Sequence, residues 1–79
     1  MPKLLIVEGY SFSFYSLEPK YEPPHVHVKR GDGRAKLWLL PVELVESRGF
    51  KSQELRRIHE LTEEHAAYFL ECWYGRFGH

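Results

Sequence analysis

The sequence has little of several features that define common protein classes. It contains a single cysteine, Cys72, which excludes an internal disulfide framework and fits a reducing compartment. Lys and Arg total 11 and Asp and Glu total 11, so the formal net charge is zero, which argues against coating nucleic acid by bulk charge. The first residues, MPKLLIVEG, hold one short apolar run, which is too brief for a signal-peptide core or a membrane span. We therefore expect a soluble, cytoplasmic protein.

What the chain does have is enough apolar material for one small core. Of its 79 residues, 43% are hydrophobic and 15% are aromatic, which predicts a single domain over residues 1–79. Repeats and low-complexity stretches are absent from the sequence. A chain this short buries little surface and is only marginally stable, so binding a partner or forming a homodimer would stabilise it.

Two strands are predicted near the N-terminus. An apolar run at residues 4–7 leads to Gly9, and apolar and polar residues then alternate. The alternation places Tyr10, Phe12 and Phe14 on one face, which we interpret as a core face beneath a helix. The opposite face carries Ser11, Ser13 and Tyr15. Residues 17–24, with three prolines, are predicted to form a loop.

The stretch HVHVKRGDGRAKLWLL predicts a β-hairpin. Asp32-Gly33 is favoured as its two-residue turn, because both central positions of such a turn tolerate positive φ. This register sets valines opposite leucines on one face, whereas a three-residue GDG loop would mix the faces. The polar face would then carry His25, His27, Lys29, Lys36 and Trp38. We expect His27 to lie directly across from Trp38, within stacking reach.

The second half of the chain predicts one long helix. Apolar residues recur at helical spacing from Ser52 to about Tyr74. The stripe comprises Leu55, Ile58, Leu61, Thr62, His65, Phe69, Cys72 and Trp73. Residues 42–48 are undecided between a strand and a short helix that opens at Pro41 and ends at Gly49. The expected fold is α+β: a small antiparallel sheet of about four strands packed by one long C-terminal helix.

The segments PPHVHV, AKLWL, PVEL, RGF and ELRRI together resemble DUF4160, a small bacterial family of unknown function. The resemblance runs from GYSFSFYS to WYGRF and implies no catalytic role for any residue. It does imply a gene neighbourhood shared with another small uncharacterised family, in an arrangement suggested to be toxin–antitoxin-like. A small protein partner encoded nearby is therefore expected. Lys51 departs from the pattern, since a small capping residue is expected at that position.

Three functions compete for the HVH stretch, besides the possibility that it is only a solvated strand face. As a metal site, His25 and His27 would supply two ligands for a divalent ion such as Zn²⁺. The third ligand would come from His59, Glu22 or His79, with His65 and Cys72 pointing into the core. Metal binding is thus one alternative, although the sequence has no second His-x-His and no HExxH.

An enzyme is the second alternative. HVHV resembles the start of the histidine-triad motif, with Lys29 standing where the third histidine would be. His25, His27 and Lys29 are then the catalytic candidates for RNA cleavage or other phosphodiester processing, with one imidazole as general acid or base. The nearby cations Arg30, Arg34 and Lys36 would bind the phosphate.

Binding without chemistry is the third and preferred hypothesis. Basic residues interleaved with a flat aromatic ring suit single-stranded RNA or DNA, and the same face suits an acidic protein partner. The predicted binding residues are His25, His27, Lys29, Arg30, Lys36 and Trp38. The expected function is that of a component of a toxin–antitoxin-like pair, acting through this hairpin face on a protein or RNA partner, without a required cofactor.

Overall fold

The computed structural model describes residues 3–15 and 22–78, with the backbone alone for Lys3. Its fold is α+β, as predicted, with a five-stranded antiparallel sheet and two helices. The strands are β1 (Lys3–Val7), β2 (Tyr10–Ser13), β3 (His25–Arg30), β4 (Gly33–Leu39) and β5 (Val42–Arg48), and the helices are α1 (Ser52–Glu64) and α2 (Ala66–Phe77).

The sheet is a simple meander in which each strand pairs with the next along the chain. Glu8 and Gly9 join β1 to β2, and both have positive φ, as a type I′ hairpin turn requires. Leu40 and Pro41 join β4 to β5 through a cis peptide bond. The predicted loop over 17–24 lies mostly outside the described residues, which resume at Glu22.

The β3–β4 hairpin exists, but its predicted register is wrong by two residues. Its turn is Gly31-Asp32, because Arg30 pairs with Gly33. Gly31 has a φ of +58° at the first central position, as in a type II′ turn. Consequently His27 lies opposite Lys36 rather than Trp38. A shift of two residues leaves every side chain on its expected face, so the division into apolar and polar faces is unchanged.

The core lies between the helices and one face of the sheet, which we call the inner face. It contains the aromatic ladder predicted from β2, with Phe12 stacked on Phe69 at 5.3 Å and Phe14 edge-on to Trp73 at 5.1 Å. The fully buried side chains of the two helices follow the predicted stripe and are Ile58, Leu61, Thr62, Phe69 and Trp73. Burying rings of this size dominates the stability of such a small core.

The undecided segment at 42–48 is a strand. Its residues pair with β4 across the register Leu39↔Val42 to Arg34↔Arg48, with a bulge that leaves Val45 without a direct partner. β5 is one edge of the sheet, and all of its residues except Val42 are exposed. The sheet therefore has five strands where about four were expected.

The long helix is divided in two at His65. The Thr62 hydroxyl donates to the Ile58 carbonyl at 2.7 Å, and the His65 Nδ1–H donates to the Leu61 carbonyl at 2.9 Å. Side-chain bonds of this kind compete with the backbone ladder and bend helices. His65 takes φ −111° and ψ 10°, outside the helical range, so α1 ends at Glu64 and α2 starts at Ala66.

The entry to α1 is capped despite the unusual residue at Lys51. The Glu54 carboxylate accepts a hydrogen bond from the Lys51 N–H at 2.9 Å, which is half of a capping box. Glu54 also lies 3.6 Å from Arg30, and Arg57 binds Glu8, so ion pairs connect α1 to the sheet. Within the described part of the chain, neither helix is long and apolar enough to span a membrane.

Candidate functional site on the outer face of the sheet

The face of the sheet turned away from the helices carries most of the predicted site. We call it the outer face. Residues that pair directly across antiparallel strands share a face, so the register places the side chains in rows that cross the strands. The two central rows are Ser11, Lys29, Arg34 and Arg48, and Ser13, His27, Lys36 and Glu46.

Three cations lie side by side in the first row. Lys29 pairs with Arg34, and Arg34 pairs with Arg48. We call these three residues the cation row. Among the described residues, no carboxylate lies within 4.0 Å of any of them. Like charges directly opposite each other destabilise a sheet, so the row holds positive potential that no carboxylate of the described residues neutralises at close range.

Arg34 is the best positioned of the three. Its Nη1 donates to the Gly31 carbonyl at 2.8 Å and to the Gly33 carbonyl at 2.7 Å. These bonds use one nitrogen of the guanidinium, which has five N–H donors in total. The hairpin turn therefore orients Arg34 while leaving most of its donors for a ligand.

His25 and His27 lie on adjacent outward positions but in different surroundings. His25 is only 1% exposed, and its ring contacts Trp38 at 5.7 Å and Trp73 at 4.9 Å. Its Nδ1–H donates to the Pro23 carbonyl at 2.9 Å, which fixes the orientation of the ring. His25 therefore supports the face from within, and His27 is the histidine that lines its surface.

His27 forms an aromatic stack with Tyr15. The two rings are 3.5 Å apart and inclined by only 7°, and the Tyr15 side chain is 45% exposed. Burial lowers the pKa of His27 to about 4, and the positive potentials of His25 and Lys36 act in the same direction. The nearby Glu22 carboxylate opposes this shift. His27 is consequently a neutral, flat ring at pH 7.

The lowered pKa of His27 predicts acid sensitivity. The unfolded chain, with a histidine pKa of 6.5, binds this proton below pH 6.5, whereas the folded chain binds it only near pH 4. Stability therefore falls as the pH drops through that window, by about 1–2 kcal/mol between pH 7 and pH 5. We expect urea unfolding at the two pH values to show this loss in the wild-type chain and little of it in His27→Gln.

The matched control for that measurement is His59→Gln. His59 lies on α1 and contacts the Val42 carbonyl rather than His27, so this variant leaves the surroundings of His27 unchanged and should keep the loss that His27 causes. Equal loss of stability in wild type and His27→Gln would contradict the assignment. The Glu22 carboxylate does not confuse the test, because the Lys36 hydrogen bond lowers its pKa below 4.5 and its effect appears only at lower pH.

Lys36 and Trp38 lie on the outer face as predicted, but Lys36 is already paired. Its Nζ lies 2.6 Å from the Glu22 carboxylate and 5.1 Å from the Trp38 ring centre. Arg30, by contrast, lies on the helix side of the sheet, above the Tyr10 ring and beside Glu54. Of the predicted binding residues, all except Arg30 therefore belong to the outer face, where His25 is the buried member.

An open pocket of about 410 Å³ crosses the outer face from Tyr15, just after β2, to β5. Its lining residues are Tyr15, His27, Arg34, Ala35, Lys36, Glu46, Ser47 and Arg48. A smaller pocket of about 140 Å³ continues it towards Ser13 and Lys29, with Tyr15, His27, Arg34 and Ala35 common to both. The stacked rings and the cation row thus border one continuous groove.

The metal hypothesis gains no third ligand from the described residues, in which no group of three or more His, Cys, Asp or Glu side chains could hold an ion. The Glu22 carboxylate is bound by Lys36, although it lies 3.8 Å from the Nδ1 of His25. His59 instead donates from Nε2–H to the Val42 carbonyl of β5, and its Nδ1 lies 3.5 Å from the Glu63 carboxylate. The remaining candidate, His79, lies outside the described part of the chain.

Among the residues that line the groove, Tyr15, Glu46 and Arg48 were not predicted from the sequence to bind a ligand. Tyr15 had a signal, because the alternation of β2 already pointed it away from the core. Glu46 and Arg48 had none, since the segment that carries them was undecided between helix and strand. Their position depends on the pairing of β5 with β4, which is a tertiary contact that no local pattern encodes.

Comparison with known proteins identifies a family but no characterised relative. No curated protein and no solved structure matches the chain. The model of one family, described as a domain of unknown function, matches residues 9–74. That match includes the hairpin, the whole cation row and most of both helices. The chain therefore belongs to the family DUF4160.

Proposed function

We propose that the chain is the binding component of a toxin–antitoxin-like pair and that it holds single-stranded RNA on the outer face of its sheet. The observation that carries the proposal is the cation row, which crosses three strands without a carboxylate partner among the described residues. Three like charges on neighbouring strands repel each other and cost stability, and binding an anion recovers that cost.

The geometry of the row suits a chain of phosphates. Directly opposed residues have Cα atoms about 4.5–5.5 Å apart, so Lys29 and Arg48 are separated by roughly 10 Å. Long side chains from these positions can contact two or three successive phosphates of an extended strand. Arg34, at the centre, offers the planar donor set that matches phosphate oxygens.

The aromatic stack of Tyr15 and His27 provides a surface for a nucleic-acid base, which a simple anion does not have. Tyr15 is exposed and is held flat by His27, on the border of the same groove. A rigid ring beside a phosphate-binding row is the arrangement by which sheet surfaces bind unpaired bases. Because His27 is neutral at pH 7, the stack provides a surface for a base without adding charge.

Two alternatives fit these side chains less well. An enzyme that uses both histidines needs both to reach the substrate, but His25 is 1% exposed and donates to the Pro23 carbonyl. A pKa of about 4 also makes His27 a poor general acid at neutral pH. An acidic protein segment would satisfy the cation row, but it would leave the exposed Tyr15 ring without a comparable partner.

The test compares three labelled ligands at about 50 mM salt by fluorescence anisotropy: a single-stranded RNA of about 12 nucleotides, its duplex, and an acidic peptide. We expect the single strand to bind with Kd on the order of 10⁻⁵ M and remain intact, and the duplex and the peptide to bind at least about tenfold more weakly. Tighter binding of the peptide than of the single-stranded RNA would contradict the RNA proposal and indicate an acidic protein as the ligand. Cleavage of the RNA that His27→Ala abolishes would restore the enzyme alternative.

A further inference from the structure

Glu46 is unusual among the residues of the groove. It is the one carboxylate among the described residues that line the 410 Å³ pocket, which otherwise carries three cations. Its cross-strand neighbour is Lys36, but the Lys36 ammonium is 2.6 Å from Glu22 instead. Within the described residues Glu46 has no ion pair, and its side chain is exposed.

We infer that this pocket takes one guanine nucleotide, with the base against Tyr15, its donor edge on Glu46 and its phosphate on Arg34 and Arg48. The inference rests on the proposed RNA-binding function and names the base that the face selects. A volume of about 410 Å³ falls in the range of pockets that hold ligands of this size. All of the groups that the base and phosphate need line this one pocket.

The choice of guanine follows from hydrogen-bond chemistry. An ionised carboxylate only accepts, and its two oxygens bind best to two parallel donors. Guanine presents such a pair, N1–H and N2–H₂, on its Watson–Crick edge. Adenine and cytosine each place an acceptor beside their amino group, and uracil places its one donor between two acceptors. Only guanine therefore satisfies both oxygens of Glu46 without facing a lone pair towards the carboxylate.

The arrangement also explains an acidic residue in a site that otherwise attracts anions. A carboxylate beside Arg48 weakens phosphate binding in general, so it needs a compensating contact. Glu43 provides the internal comparison. It points outward from the same strand, but it pairs with Trp38 and lies outside the pocket lining.

The experiment measures selectivity in the wild-type chain, Glu46→Gln and the matched control Glu43→Gln. Each is titrated with the four nucleoside 5′-monophosphates by NMR, and with oligouridine in which one central base is or is not guanine. The ratio of guanine to uracil affinity is the readout, because removing a negative charge strengthens all anions together. We expect a wild-type ratio of about ten or more, a ratio close to one in Glu46→Gln, and the wild-type ratio in Glu43→Gln.

The outcomes separate this inference from the proposed function. Selectivity for the free guanine nucleotide without oligonucleotide binding would support the pocket assignment and make a free nucleotide its ligand, against the RNA proposal. Oligonucleotide binding with equal affinity for all bases would overturn the inference and leave the RNA proposal standing. A ratio that Glu46→Gln leaves unchanged would also overturn it.

Discussion

Replacing Arg34 and Arg48 together with alanine will weaken binding of single-stranded RNA by about 100-fold. Each guanidinium is expected to donate charge-assisted hydrogen bonds to phosphate, worth about 1.4 kcal/mol apiece at the low end of their range, and 1.4 kcal/mol is tenfold in Kd. The fold should survive, because Arg34 loses only two bonds to turn carbonyls and the variant relieves repulsion across β4 and β5. Anisotropy titrations measure the binding, and a thermal melt checks the fold.

The matched control removes the same charge elsewhere. Arg56 and Arg76 are exposed on α1 and α2, away from the outer face, so Arg56→Ala/Arg76→Ala changes the net charge equally. If binding depends on the cation row, this control should lose no more than about threefold in affinity. Equal losses of RNA affinity in the two double variants would mean that binding depends only on the net charge of the protein, which would contradict the site assignment.

Trp73→Ala will destabilise the chain by about 3–5 kcal/mol, the largest effect expected of any single substitution considered. Trp73 is fully buried and its ring contacts Phe14 at 5.1 Å, His25 at 4.9 Å and Phe77 at 4.5 Å. A chain of this length has a free energy of unfolding of about 4–12 kcal/mol, so the variant retains little or none of it if the wild-type value is at the low end. The unfolding temperature should fall by at least about 12 °C.

Tyr74→Ala is the control for that substitution. Tyr74 is the next residue of α2 and is 46% exposed, so its removal should change the unfolding temperature by only a few degrees. Trp73→Phe keeps part of the ring contacts and should fall between the two. A melting temperature for Trp73→Ala close to that of Tyr74→Ala would show that the packing between α2 and the buried end of β3 is not as described.

The faces of the sheet could be predicted from the sequence, but the hairpin register could not. GDG contains two possible two-residue turns, Gly31-Asp32 and Asp32-Gly33, and the two registers differ by an even shift that preserves both faces. The choice depends on a tertiary contact. A Cβ added at Gly33 would overlap the Phe50 ring, so the glycine is needed within β4 rather than in the turn. Apolar alternation contains no information about this packing.

The division of the long helix at His65 could not be predicted from the apolar pattern either. The apolar stripe runs on through Leu61, Thr62 and Phe69, so its period shows no interruption at His65. The break comes from the hydrogen bonds that the Thr62 and His65 side chains donate to helix carbonyls. The presence of a polar residue in an apolar stripe does not by itself predict such a bond. The histidines of the site were found from sequence, but the burial of His25 depends on Trp73, which comes from the other end of the chain.

The most direct test of the central claim is the salt dependence of RNA binding. If the cation row contacts three phosphates, the logarithm of the association constant should fall with the logarithm of salt concentration at a slope of about −2. Arg34→Ala/Arg48→Ala should reduce that slope to about −0.7, because Lys29 alone remains. A slope near zero for the wild-type chain, or the same slope in both proteins, would contradict a phosphate-binding row on the outer face.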